Sequence, residues 1–529
     1  MGTTIPEAVV LHARQRPDSP AVVTWSAVEC STITYGQLSQ HIAATQLWLR
    51  DWLPSTQGAL LAILAHNSAS HLVSSLACMA NGGVALHLDL STSAAQLGPQ
   101  LHRLQCGALL VSPAFDELGR QAAASAAAMG LDVRVEMLPS LVSLPIHAGG
   151  GAPAQAAPGG GGERTAVVFF TSGSTGSPKA IPHTHDGLLW WARSYTARLP
   201  QVFSPAVPPE QSGSMSFAPF SHVLGFVANA VLNLSQGAPL YVLADAAQLL
   251  TPQLLLEAAT TLRPATLNTV PVLVEGLCAL LTEGHPLAPS LSRLRLLTYG
   301  GAALPARCAA TLRAHDVASA CTYGQTDTAG AVMVGEVSGD LNALRPIGGA
   351  RYELMRRDGA GEGAGELLLT GLGCVSPSPG GWRVGEGGVG GERGERAAER
   401  GGGGRPFATG DLFTTVQVGG SAWLLYARRK DDPAILHASG ELTNPHLPEV
   451  TAAPNPPPLP THRRLQPTTA SNRVSSLSRR TPGSSYHSPD SRPQPQPHTS
   501  PQSTSSAIRT FSTTALAFAP ARTRAPRST

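Results

Sequence analysis

The sequence predicts an α/β protein, built on a parallel sheet covered by helices on both faces and followed by a tail without a fold. Three observations carry that expectation. Helix-like and strand-like apolar patterns alternate through residues 1–145, resume at Thr165 and run to about Thr370, and give way to Pro, Ser, Thr, Gln and Arg beyond Val450. A chain of 529 residues with 42% hydrophobic residues is long enough to bury a large core. Its 55 Gly and 45 Pro imply that part of it does not pack.

Taken in order, Leu38 to Leu49 (LSQHIAATQLWL) places apolar residues at helical spacing. Ala59 to Ala65 (ALLAILA) has the length of a buried strand, His71 to Ala80 reads as a helix, and the strand-like VALHLDL follows Gly82 and Gly83. Repeated units of this kind, with strands apolar throughout, argue for a parallel sheet between helical layers. The Gly/Ala/Pro stretch at 148–162 reads as a loop or linker. Thr165 to Phe170 (TAVVFF) is a buried strand that runs directly into a Gly/Ser/Thr loop. A second glycine-rich tract spans 376–405, order resumes at Phe407, and residues 451–529 read as disordered. The expected organisation is a folded body over 1–450 and a separate tail.

Charge follows the same division. The net charge is +3, but residues 451–529 hold ten Arg, no Lys and one acid (Asp490), a net of +9 that leaves the body at −6. Nothing in the body points to nucleic acid. The dispersed tail arginines read as a solvated segment rather than a partner-binding arm. Seven cysteines without pairs or metal spacing are the pattern of a reduced protein. Arg14 and Pro17 exclude a signal peptide, and no apolar run reaches the ~18 residues of a membrane span. A cytoplasmic, soluble protein is expected, with no membrane partner.

The candidate chemistry centres on residues 171–179, TSGSTGSPK. After a strand, the small residues Thr171, Ser172, Gly173, Ser174, Thr175 and Gly176 leave backbone N–H groups and hydroxyls able to converge on an anion. Lys179, one of only two lysines in the chain, adds positive charge. The spacing is not that of the G-x-x-x-x-G-K-[ST] phosphate loop. The alternative is an ordinary polar hairpin.

The segment resembles the phosphate loop of the adenylate-forming superfamily, which includes acyl-CoA ligases and nonribosomal peptide synthetase adenylation domains. Further motifs follow in that family's order. ITYGQ (33–37) is similar to the early "LTYxEL" signature. SFAPFSHVLGF (216–226) resembles the His-containing segment at the acyl pocket, and YGGAALP (299–305) the loop along the adenine. TYGQTDTAG (322–330) resembles "YGxTE", and ATGDLF (408–413) the "TGD" ribose motif. YARRKDDPAILHASGELTNP (426–445) is most similar to reductase-type, peptide-synthetase-like adenylation domains.

The resemblance implies two helix-flanked, mostly parallel sheets with a small β-subdomain near 345–425. It implies ATP and Mg²⁺ as cofactors, a small carboxylic acid as substrate, and CoA or a phosphopantetheine carrier protein as thiol acceptor. Lys179 and the loop hydroxyls would hold pyrophosphate, and Thr326 and Asp327 would serve phosphate and metal. Tyr323 would stack on adenine, with a half-buried core tyrosine as the alternative. Gly300 and Gly301 would let the backbone approach the nucleotide, or simply form a tight turn. Asp411 would accept from the ribose hydroxyls, Arg429 would reach the nucleotide, and His222 and Phe226 would border the acid pocket. His183 and His185 have metal-like spacing, but the family carries a His at the position of His185 without any metal, and a zinc site is rejected.

Departures from the family pattern set limits. Arg428 stands where the family carries Gly, Pro433 and one extra residue alter the hinge segment, and Leu442 replaces a Lys. Asp327 replaces the usual Glu and is one CH₂ shorter as a metal ligand. The family's small C-terminal domain brings a Lys to the reacting groups, yet no Lys follows Lys430, and no carrier-protein motif is present. The expectation is an impaired adenylation step. Two alternatives stand beside it: a non-catalytic nucleotide- or acyl-AMP-binding remnant, and a truncated reading of a multidomain reductase gene that loses its frame near Val450.

Overall fold

The structure, a computed structural model, describes residues 4–26, 29–53, 58–142, 144, 161–171, 178–204, 206–244, 251–337, 342–356, 364–376, 406–429, 435–436 and 442–443. All of them lie in the first of two units into which the chain divides, Met1–Ala452. The tail 451–529 and most of both glycine-rich tracts fall outside the described residues.

Helix α1 (Ile5–Gln15) begins at Thr4, whose hydroxyl accepts from Glu7 N while the Glu7 carboxylate accepts from Thr4 N at 2.7 Å. Two first-turn donors are thereby satisfied reciprocally. Strands β1 (Pro20–Trp25) and β2 (Cys30–Thr34) follow, and α2 (Tyr35–Trp52) opens with the same device, Thr34 with Gln37. That capping box starts the helix three residues before the apolar periodicity does. It also places Tyr35 in the core, its hydroxyl donating to Ala238 O at 2.9 Å.

Alternating units come next: β3 (Leu60–Leu64), α3 (Ala69–Ala80), β4 (Val84–His87), α4 (Ala94–Arg103), β5 (Ala108–Val111), α5 (Asp116–Ala127), β6 (Arg134–Met137), β7 (Thr165–Thr171) and β8 (Lys179–Thr184). They form a six-stranded sheet in the order β6-β5-β3-β4-β7-β8, parallel except at β7–β8. Along β3, Leu61 and Ile63 pack into one apolar cluster and Ala62 and Leu64 into another, all fully buried. Burial on both faces is why the strand reads as a continuous apolar run.

The chain continues through α6 (His185–Arg198), β9 (Ser214–Ser216), α7 (Val223–Gly225), a π-helical turn at Phe226–Val231, α8 (Leu232–Gln236) and β10 (Leu240–Leu243). Next are α9 (Pro252–Leu262), β11 (Thr266–Thr269), α10 (Pro271–Thr282), β12 (Leu296–Gly300), α11 (Ala306–Ala314) and β13 (Ser319–Gln325). The last long strands are β14 (Gly330–Gly335), β15 (Ala343–Pro346), β16 (Arg351–Arg356), β17 (Ala364–Thr370), β18 (Phe407–Val418) and β19 (Ser421–Arg429).

These build a thirteen-stranded sheet in the order β16-β17-β18-β19-β15-β14-β13-β12-β11-β9-β10-β1-β2. The run from β13 to β1 is parallel, whereas β14 to β19 and the opposite edge β2 are antiparallel. The chain reverses after β13, where Ala329 (φ 59°) and Gly330 (φ 124°) take the left-handed conformations a sharp turn needs. Trp191 of α6 braces the reversal, its Nε1 donating to Ala331 O at 2.8 Å. The β-rich region expected near 345–425 is therefore hydrogen-bonded onto the parallel half as one continuous sheet. Among the described residues no helix is long and apolar enough to cross a membrane.

Candidate functional site

Strands β12 and β13 run parallel and end side by side, with Gly300 opposite Thr322. Ligand crevices in such sheets lie outside the carboxyl ends of the strands. Gly300 is required by packing: a Cβ there would sit 2.5 Å from Thr322 Oγ1 and 2.8 Å from Thr322 O. Gly301 has a φ of 88°, which a side chain would strain. Both features fit the tight-turn reading, and the same turn keeps the two strand ends close together.

At the end of β13 a polar cluster gathers around Asp411 of β18, which is 4% exposed. The Tyr323 hydroxyl donates to Asp411 Oδ2 at 2.6 Å, and Gln325 Nε2 donates to the same oxygen at 2.7 Å. Gln325 Nε2 also donates to Thr409 O at 2.7 Å, and Thr409 Oγ1 accepts from Asp411 N at 3.1 Å. Arg429 is the register partner of Asp411 on β19, with Nη1 3.9 Å from Oδ1. Burial pushes the Asp411 carboxyl above its usual value, opposed by the Tyr323 hydrogen bond, the Arg429 charge and the Gln325 hydrogen bond. Burial and then the Asp411 charge push the Tyr323 phenol well above its own. The Tyr323 ring is half-buried and meets Phe413 edge-on, with centroids 4.9 Å apart.

Thr326 and Asp327 occupy the one-turn 3₁₀ helix Thr326–Thr328 that follows β13. This turn is tied to β8 of the other sheet. His183 Nε2 donates to Thr326 O at 2.7 Å, Ser376 N donates to Asp327 O at 2.7 Å, and Ser376 Oγ donates to Pro182 O at 2.7 Å. Burial holds His183 neutral, with its pKa down to about 4. Its neighbour His185 accepts from Ile5 N through Nδ1 at 3.2 Å, so each of the two histidines has a backbone partner.

Lys179 begins β8 directly opposite Thr171, the last residue of β7, and is half-buried. Strands β7 and β8 thus pair antiparallel on either side of the loop, as the polar-hairpin alternative expects of its flanks. Ser172, Gly173, Ser174, Thr175 and Gly176 lie outside the described residues. Of this connection Pro178 is described, and its carbonyl accepts from Arg103 Nη2.

His222 and Phe226 flank α7 on either side. His222 is exposed and caps α7, its Nδ1 accepting from Leu224 N at 3.1 Å. Phe226 is 1% exposed and packs on His87 at 4.5 Å between centroids and on Phe220 at 5.9 Å. A cavity of about 280 Å³ lies beyond Gly301, lined among others by Leu304, Asn342, Gln417 and Leu425. It sits toward the opposite end of β18 from Asp411.

Among the described residues no group of three His, Cys, Asp or Glu gathers as a metal cage. Asp327 with the Thr326 hydroxyl is a hard oxygen set, and Mg²⁺ is commonly held by one or two carboxylates together with substrate phosphates. The residues present fit that mode. Gln325 and Ser376 are structural members of the site that sequence reasoning did not single out, and His183, weighed there only as a rejected zinc ligand, is a third. A lone Gln, His or Ser carries no signal until the fold brings its partners near.

The sequence profile of a family described as AMP-binding enzyme matches residues 10–376. The chain is 27% identical to the D-alanine–D-alanyl carrier protein ligase of Bacillus licheniformis, over 69% of each chain. It is 29% identical to the nonribosomal peptide synthetase pboA of Aspergillus ustus, over 35% of this chain and 8% of that protein. The chain spans 27% or less of the length of the first fungal peptide synthetases it matches. The fold is that of O-succinylbenzoate coenzyme A synthetase from Bacillus subtilis in complex with ATP and magnesium ion: TM-score 0.60, 20% identity, 83% of this chain and 82% of that one.

Proposed function

The chain belongs to the AMP-binding enzyme family, and from that premise we propose that it activates a carboxylic acid with ATP at the Tyr323–Asp411 site. The acid's carboxylate attacks the α-phosphorus, the bond to pyrophosphate breaks, and an acyl-adenylate forms. A thiol, CoA or a carrier protein acting in trans, then attacks the acyl carbon and AMP leaves.

The observation that carries this reading is the Asp411 cluster, in which residues from two distant motifs meet at the end of β13. Asp411 accepts from the ribose hydroxyls, Tyr323 and the Gly300–Gly301 turn flank the adenine, and Arg429 reaches the nucleotide. Lys179, Thr171 and the hydroxyls of Ser172, Ser174 and Thr175 hold pyrophosphate, with Gly173 and Gly176 shaping the loop. Thr326 orients a phosphate, and His222 and Phe226 border the acid pocket. Asp327 would hold Mg²⁺, which when bound with the phosphates offsets their charge.

Residues 1–450 form the adenylating unit, and the step is slow. Charge builds on the α-phosphate and the incoming carboxylate, and cations must be fixed where it develops. Within residues 1–450 the lysines are Lys179 and Lys430 alone, and this unit by itself does not supply the second one. The same fact favours a second reading, a nucleotide-binding protein without turnover.

Pyrophosphate exchange with a panel of aryl and aliphatic acids distinguishes the two. Loss of one such donor costs about 10²–10³ in rate, so exchange that far below a complete homologue is expected. ATP binding with no exchange for any acid selects the second reading. Exchange at a homologue's rate refutes the impairment.

A further inference from the structure

Gln325 enters the site with no role in the family resemblance, yet its side chain reaches three groups of the cluster. Its amide nitrogen lies 2.7 Å from Asp411 Oδ2, 2.7 Å from Thr409 O and 3.2 Å from the Tyr323 hydroxyl oxygen. An amide NH₂ has two hydrogens. The two short contacts use both, one on the carboxylate and one on the backbone two residues before it. Gln325 is itself fixed, its backbone N–H donating to Thr328 Oγ1 at 3.0 Å.

These bonds divide the Asp411 carboxylate. Oδ2 receives Gln325 and Tyr323, which fill its two lone-pair directions, while Oδ1 is turned toward Arg429. A carboxylate held through one oxygen cannot swing, so the other oxygen keeps a single aim. We infer that Gln325 is a positioning residue that orients Asp411 Oδ1 toward the vicinal hydroxyls of a ribose, and so sets the preference of the site for ribonucleotides over deoxynucleotides. The inference rests on the nucleotide site proposed above and adds to it the origin of sugar discrimination.

No other group in the cluster can substitute. Tyr323 contributes a single hydrogen, and rotation about its C–O bond leaves Oδ2 free to move along an arc. Gln325 bonds the strand backbone and the carboxylate at once, which fixes the distance between them. Methionine has nearly the same volume and no donor. Asparagine keeps the donor on an arm one methylene too short to span both acceptors.

The test is calorimetric titration of the full-length chain, its Gln325→Met and Gln325→Asn variants and Asp411→Asn with ATP, 2′-deoxy-ATP and 3′-deoxy-ATP in Mg²⁺. A hydrogen bond to a charged group corresponds to about tenfold or more in affinity. The unaltered chain should therefore prefer ATP to each deoxy analogue by about that factor. Both Gln325 variants should lose most of the preference by weakening ATP while leaving the deoxy analogues nearly unchanged, a pattern that general loosening of the fold does not produce. Asp411→Asn should lose the preference as well. If the unaltered chain discriminates and either folded Gln325 variant still discriminates equally, the inference is overturned and the nucleotide site stands. If the unaltered chain binds all three alike, or binds none, the site reading fails and the inference with it.

Discussion

The Tyr323 hydroxyl donates to Asp411 at 2.6 Å although the two residues lie on β13 and β18, which three strands separate in the sheet order. Four strand spacings of a flat sheet amount to about 19 Å. The contact therefore requires the antiparallel half to curl until β18 meets the end of the parallel half. The Gln325 amide, which reaches both Asp411 and the Thr409 carbonyl, closes that curl as well, so the candidate nucleotide site is also a seam of the fold.

A seam built around a buried carboxylate costs stability in the empty protein. Burial raises the Asp411 pKa above the usual 3.8. The folded state then holds its proton more tightly than the unfolded state, and stability falls as pH rises through the window above 3.8. Asp411→Asn, which keeps an acceptor for Tyr323 and Gln325, should match or exceed the unaltered chain in denaturant midpoint at pH 7.5. The difference should vanish as pH approaches 4. A variant less stable at pH 7.5 would show that the ionised carboxylate is a net support.

Four histidines titrate in the opposite sense. His71, His87, His183 and His185 are each 1–2% exposed, and burial lowers His71 and His183 to about 4, His185 to about 3 and His87 well below 6.5. Unfolding below pH 6.5 takes up protons the native state refuses, so stability is full above 6.5 and is lost as pH falls toward 4. Each histidine contributes up to about 1.4 kcal/mol per pH unit in that window. Urea denaturation at pH 7.5, 6 and 5 should show a steep decline, and His183→Gln should flatten it by about one proton. A pH-independent midpoint over that range would contradict the burial of these rings.

Glycine 324 tests the packing at the seam. A Cβ at this position would lie 1.8 Å from Gly330 O, across the irregularity where β13 pairs with β14. Gly324→Ala should cost at least the ~1–3 kcal/mol of an overpacked core, read as a lowered melting temperature. Gly419→Ala, where a Cβ meets nothing but φ is 57°, should cost only about 1 kcal/mol. Equal effects would mean that the backbone of the β13–β14 pair gives way freely.

Much of the fold was legible because burial on both faces writes long apolar runs: Ala59–Ala65 and Thr165–Phe170 became β3 and β7 within a residue. Helix starts were less so, since Tyr35 belongs to α2 through a side-chain cap and not through apolar spacing. The attachment of β16 to β19 to the rest of the large sheet was not legible, because strand pairing across β15 and β19 depends on neighbours 80 positions apart, such as Leu344 and Leu424. At the site, glycines and the aspartate stood out by their motifs. Gln325 did not, because its meaning lies wholly in the Thr409 carbonyl and the Asp411 carboxylate that the curl brings to it. Gly324, given no role of its own within TYGQTDTAG, proves to be demanded by the β13–β14 pairing.

The central claim is that the cluster at the end of β13 binds a nucleotide through Asp411, and calorimetry with ATP and Mg²⁺ tests it most directly. The full-length chain should bind ATP with a saturable heat, and Asp411→Ala, shown by circular dichroism to be folded, should abolish it. Unchanged affinity in the Asp411→Ala variant, or no binding by the unaltered chain, would contradict it.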